Sequence, residues 1–133
     1  MKKLIGKTVK SIYIDRESQE YLKFRTDTGD FVYKTDGDCC SETWFADIIG
    51  IASLLNEKII NVEEIEMPEC TDNRTRQEED VIYCYKIQTC KGHTDIIFRN
   101  SSNGYYGGEI GLCKRQHIID KVKFKKITDD YTA

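Results

Sequence analysis

Residues able to do chemistry concentrate in one stretch, Arg99-Asn100-Ser101-Ser102-Asn103-Gly104-Tyr105-Tyr106-Gly107-Gly108. Its glycines permit positive φ and close backbone approach. Two hydroxyls and two side-chain amides supply donors and acceptors. Tyr105 and Tyr106 offer flat faces, and Arg99 a charge that matches phosphate. A stacking platform with a few placed polar groups is what small-molecule sites use. The same composition also suits a tight β-turn whose tyrosines cap a core. No Gly-Lys-Ser/Thr follows, so the segment is not a phosphate-binding P-loop.

A second stretch, Gly37-Asp38-Cys39-Cys40-Ser41-Glu42, precedes a segment with helical spacing. A thiol at a helix start gains thiolate character, but a nucleophile also needs a base, and His93 and His117 are the only imidazoles. The competing reading, small thiols packed under the helix start, needs no chemistry. Zinc sites use about four Cys or His ligands in short-spaced pairs. Cys39, Cys40, Cys70, Cys84, Cys90 and Cys113 contain no CxxC. The acidic runs Glu63-Glu64-Ile65-Glu66 and Gln77-Glu78-Glu79-Asp80 read as solvated strand and loop positions. No catalytic residue, metal site or cofactor is expected.

The elements that position these groups are mostly strands. The chain has 133 residues, 39% hydrophobic and 32% charged, and a single proline. That is one domain with enough apolar surface for one core. Strands are expected over 6–14, 21–25 and 31–34, turning at Asp27-Thr28-Gly29-Asp30. Trp44, Phe45, Ile48 and Ile49 fall at helical spacing, which predicts a helix capped by Asp38 or Ser41 and stopped at Gly50 that lies across the strands and buries Trp44, with a short turn over 51–55. Strands follow over 58–67, 81–89, 94–99, 109–113 and 121–127. The expected fold is α+β: a strongly curved antiparallel meander of about 6–8 strands with one or two short helices packed on it. Its core spans about 4–127, with a mobile loop at 69–80 and a frayed tail at 128–133.

The net charge is -3 and the isoelectric point about 5.4. Binding duplex nucleic acid normally needs a basic face, so no duplex partner is expected. Lys114, Arg115, Lys121, Lys123, Lys125 and Lys126 alternate with Val122 and Phe124, as on the outer side of a C-terminal strand. The start Met1-Lys2-Lys3-Leu4-Ile5-Gly6 has no apolar stretch behind it, so neither a signal peptide nor a membrane span is expected. The reducing cytosol is then the expected compartment, with all six cysteines as thiols.

The segments Asp36-Gly37-Asp38-Cys39-Cys40-Ser41-Glu42-Thr43-Trp44-Phe45, Gln77-Glu78-Glu79-Asp80 and Phe98 to Gly108 resemble a family of small phage and prophage proteins, over roughly residues 4 to 113. More distantly, the Asp-Cys-Cys segment and the Ser-Asn-Gly-Tyr-Tyr loop are similar to the phage Thoeris anti-defence proteins. That resemblance implies a cytoplasmic sponge of an infected bacterial host, which sequesters a cyclic ADP-ribose isomer or related cyclic nucleotide without cleaving it. It implies a pocket between protomers of a homo-oligomer, a dimer or a hexamer built from dimers. The family's stacking ring lies ten residues before the loop asparagine; counting back from Asn103 reaches His93, where an imidazole replaces the usual Tyr or Phe. The implied ligand-binding set is His93, Arg99, Asn103, Tyr105, Tyr106 and Arg115, with Arg74 and Arg76 as further arginine candidates. A different function, a protein-binding module that inhibits a host factor, is consistent with the acidic composition and the loop tyrosines. An enzyme using Cys39 or Cys40 rests only on their helix-start placement.

Overall fold

Alternation of apolar and polar residues builds the first three strands. In the computed structural model, which describes residues 1–37, 41–67, 79–102 and 108–133, they are β1 (Val9–Asp15), β2 (Tyr21–Thr26) and β3 (Gly29–Gly37). Ile12, Ile14, Leu22, Phe24 and Tyr33 point to one face and are buried, while Lys23 and Arg25 point to the other. On that outer face the Lys23 ammonium lies 4.5 Å from the Tyr13 ring centroid and 4.6 Å from that of Phe124. Gly29, at φ +128, closes the β2–β3 hairpin in a conformation that costs a larger residue strain.

The other strands among the described residues are β4 (Glu42–Ile49), β5 (Asn61–Met67), β6 (Glu79–Thr89), β7 (Gly92–Ser102), β8 (Gly108–Leu112), β9 (Phe124–Ile127) and β10 (Tyr131–Thr132), with a short α-helix, α1 (Gln116–Ile119), and 3-10 turns at Lys2–Leu4 and Ile51–Ser53. They form two antiparallel sheets, ordered β8-β3-β2-β1-β9 and β10-β4-β7-β6-β5. One core joins them: Phe24 and Tyr33 from the first sheet meet Phe45, Ile96 and Phe98 from the second. Tyr83 stacks on Phe98 at 4.8 Å between centroids, and Phe45 meets Phe98 edge-on. The expected single curved meander is therefore corrected to two facing sheets. A sheet with one apolar face must cover it, and here a second sheet does so rather than a helix.

The expected helix before Gly50 is the main error, because residues 42–49 form β4. Six consecutive residues, Thr43 to Ile48, are buried. Trp44 pairs in register with Arg99, and Phe45 with Phe98, so the two aromatics face opposite sides of the second sheet. A strand covered on both faces loses its alternation, and a bulge between Phe45 and Asp47 shifts the phase further. Trp44 is buried as expected, at 2% exposure, but within a strand.

The C-terminal part also differs. The expected strand over 121–127 begins only at Phe124. β8 and β9 lie at opposite edges of the first sheet, so residues 113–123 cross its outer face as a strap that carries α1 and covers Val32. The Cys113 N–H donates to the Val32 carbonyl at 2.7 Å. The tail expected to fray is tied down: β10 pairs with β4, and the Asp130 carboxylate accepts from the Gly50 and Ile51 N–H groups. The expected loop over 69–80 gives up Glu79 and Asp80 to β6; the rest of it lies outside the described residues.

Tyr33 is 3% exposed, and its hydroxyl has no hydrogen-bond partner among the described residues. Burial pushes its pKa from the ordinary 10 to about 12. Its neutral form is thus favoured by folding, a contribution complete below pH 10 and lost as pH rises from 10 through about 12. Tyr33→Phe should flatten the alkaline fall in stability across that window, and raise stability at neutral pH by on the order of 1 kcal/mol. Urea unfolding at a series of pH values measures both.

Candidate functional site

The chain leaves the described structure three times, each time at the same end of the sandwich. β3 ends at Gly37, paired with Gly108 at the start of β8. β4 begins at Glu42, paired with Ser101 near the end of β7. β6 begins at Glu79, paired with Ser102, and Met67, the last residue of β5, pairs with Ile82. The described residues next to these three breaks therefore lie on one rim. The opposite end carries the turns after Thr26 and Thr89.

Beneath the rim the motif segments touch. The Asn100 amide donates to Thr43 Oγ1 at 2.9 Å, across 57 positions of sequence, and the Thr35 hydroxyl donates to the Thr43 carbonyl at 2.9 Å. All three residues are buried. The Asn100 Oδ1 acceptor has no hydrogen-bond partner among the described residues. A Cβ added to Gly108 would lie 2.5 Å from Thr43 Oγ1 and 2.9 Å from the Asn100 Cβ. Gly108→Ala should therefore cost about 1–3 kcal/mol through overpacking. Gly111→Ala, with nothing within 4 Å of the new methyl, should leave the urea midpoint nearly unchanged.

Two cavities open beside this end. One, of about 490 Å³, is walled by the turn 17–20, the end of β3 and the start of β4. Among the described residues its carboxylates, Glu17, Glu20, Asp36 and Glu42, outnumber its one cation, Lys34. The other, of about 460 Å³, shares Lys34 and Asp36 and adds Tyr21, Glu109 and Arg115. Arg115 is exposed at the N-cap of α1 on the strap, where it lines the second cavity.

Of the other expected site residues, Arg99 is 1% exposed on β7, three positions before the strand ends, opposite Trp44 and Ile82. Its guanidinium is thus buried in the second sheet and not displayed at the surface. His93 is half-exposed beside the hairpin turn, with Nε2 3.8 Å from the Asp95 carboxylate. It lies nine residues from Ser102, about 30 Å along an extended strand. Within one chain His93 and the rim are thus at opposite ends of β7. Asn103, Tyr105, Tyr106, Arg74 and Arg76 lie outside the described residues, as do Cys39, Cys40 and Cys70. Cys84, Cys90 and Cys113 are free thiols, and burial pushes Cys84 up to about 11, which leaves it protonated at neutral pH. Among the described residues no group of His, Cys, Asp and Glu is placed to hold a metal ion, and no helix is long and apolar enough to cross a membrane.

The sequence reading missed the Thr35–Thr43–Asn100 cluster. Thr43 and Asn100 each lie in a segment that carries the family resemblance, but only the pairing of β4 with β7 shows that they meet. The architecture is that of a two-sheet antiparallel β domain. Residues 2–112 match the family described as "Domain of unknown function (DUF7448)", and the chain belongs to that family. It is also similar to "Uncharacterized protein L278" of Acanthamoeba polyphaga mimivirus, 34% identical over 83 residues. That alignment covers 58% of this chain and 63% of the viral protein, short of two thirds of its length. No solved structure matches the chain.

Proposed function

We propose that this protein is a binding module that sequesters a small cyclic nucleotide, a cyclic ADP-ribose isomer or a relative, without cleaving it. In this reading it acts in the cytoplasm of an infected bacterial host. The observation that carries the proposal is that the described ends of the three resemblance segments, Gly37 and Glu42, Glu79, and Ser102 and Gly108, lie on one rim. The chemistry beside the rim suits such a ligand. Arg115 and Lys34 match phosphate, Tyr21 offers a ring, and Asp36 and Glu109 can accept from ribose hydroxyls. A cavity of about 460 Å³ is within the range of small-molecule sites. His93, at the far end of β7, would join the pocket from a second copy, in keeping with a site shared between protomers.

One observation favours a second reading. The larger cavity presents four carboxylates against one lysine, a surface that suits a basic partner protein. The separating experiment is native mass spectrometry of the purified protein, followed by calorimetry with cyclic ADP-ribose isomers. Binding, with intact ligand recovered after heat denaturation, supports sequestration. Absence of heat for every cyclic nucleotide tested moves the function to protein binding, and a hydrolysed product to an enzyme.

A further inference from the structure

The strap over residues 113–123 does not close down fully on the sheet beneath it. Val32 lies opposite Lys23 on the face turned away from the shared core, and the strap buries it to 3% exposure. Between strap and sheet a cavity of about 410 Å³ remains, within the range of small-molecule sites. Val32 and Phe124 wall it from the sheet, Ile119 and Val122 from the strap. Ile119, Val122 and Phe124 are half-buried, so this apolar surface is neither fully packed nor open to solvent.

The charges around the cavity do not balance one another. Its two carboxylates are engaged: Asp30 accepts from Arg25 Nε at 3.3 Å, and Asp120 from the Gln116 amide at 2.8 Å. Its two cations, Lys23 and Lys114, make no ion pair among the described residues. The half-buried Lys23 ammonium lies instead over the ring faces of Tyr13 and Phe124. Ring faces replace only part of the hydration that an ammonium loses on burial. The field on this face is positive at Tyr13 too. The Ser11 hydrogen bond, together with the charges of Arg25, Lys126 and Lys23, draws the pKa of the Tyr13 hydroxyl below its ordinary value.

We infer that the space under the strap is a second binding site, for a small organic anion. Its apolar body lies against Val32, Ile119, Val122 and Phe124, and its carboxylate or sulfonate meets the Lys23 ammonium, with Lys114 adding to the attraction. The anion there accepts a charge-assisted hydrogen bond in a partly desolvated place, where such a bond is stronger than in open water. Neither Lys23 nor Phe124 lines the cavities beside the rim, and the inference does not depend on the ligand proposed there.

Fluorescence titration of the whole protein with anilinonaphthalene sulfonate tests it, beside phenylnaphthylamine, which has the same rings and no sulfonate. The wild type should bind one sulfonate probe per chain, and more tightly than the neutral one. Lys23→Met keeps the length of the side chain and removes its charge. It should weaken the sulfonate about tenfold or more, the size of one hydrogen bond to a charged group, and leave the neutral probe unchanged. Val122→Trp fills the cavity and should abolish binding of both probes with unchanged far-ultraviolet circular dichroism. The Cys113 thiol lines the same cavity and reports position. Bound sulfonate should slow its alkylation by iodoacetamide, read by peptide mass spectrometry, and spare that of the exposed Cys90 in the β6–β7 turn. A wild type that binds neither probe, or both equally, overturns the inference. So does undiminished sulfonate binding in Lys23→Met or in folded Val122→Trp, or full-rate alkylation of Cys113 in the complex.

Discussion

Trp44→Ala should lower the unfolding free energy by about 3–5 kcal/mol, the range for deleting a large buried aromatic. Trp44 is 2% exposed in β4, which lies between β10 and β7 in the second sheet. Its side chain is on the face away from the shared core, in register with the buried Arg99 and, one strand further, Ile82. Truncation would remove the cover from a buried guanidinium as well as leave a cavity, so both transfer and desolvation terms act in the same direction. Trp44→Phe keeps most of the volume and should recover more than half of the loss. Urea denaturation of the three proteins measures this. Equal midpoints for wild type and Trp44→Ala would place the indole in solvent and make it a surface contact instead.

The second large effect concerns binding. If a cyclic nucleotide is held at the rim, Asn103→Ala should cost about 1–3 kcal/mol as a lost hydrogen-bond partner. Arg115→Ala should add a comparable loss of a charge-assisted contact. Together these amount to a hundredfold weakening or more, since each 1.4 kcal/mol is tenfold. Arg115 is exposed on the strap, so its removal should leave the melting temperature unchanged. His93→Ala separates a pocket within one chain from one shared between copies. Its distance from the rim along β7 predicts no effect in a monomer and a loss of affinity where a second copy supplies the ring. Calorimetry on the three variants, with the assembly state recorded alongside, reads both outcomes. Undiminished affinity in Asn103→Ala with Arg115→Ala would remove the rim from the binding site.

Local pattern makes several elements legible in the amino-acid sequence itself. The β1–β2–β3 meander follows from alternation in Ile12, Ile14, Leu22 and Phe24, with Gly29 at its turn. The β6–β7 hairpin follows from the Tyr and Ile residues that flank Lys91-Gly92. In both, one face is buried and the other solvated, so the chemistry of each side chain reports its side. β4 is not legible for the same physical reason: with Trp44 buried on one face and Phe45 on the other, an apolar run carries no period that separates strand from helix. The tail also escapes, because a two-residue strand gains its order from β4 and from the Asp130 carboxylate, not from its own composition.

The candidate site divides along the same line. Its ingredients are visible as residue types: aromatic rings, amides, glycines and arginines in three separate segments. Their meeting is not, because it depends on where the chain crosses between sheets. Asn100 finds Thr43 only because β4 pairs with β7 in the register that sets the two residues opposite each other. Counting ten residues back from Asn103 reaches His93, but a residue count has no direction, and in an extended strand ten steps span the whole domain. Sequence determined the strand character, the turn residues and the inventory of chemical groups, since these rest on each residue's own backbone and side-chain preferences. Tertiary structure decided the number of sheets and the common rim, because burial and proximity belong to pairs of residues far apart in the chain.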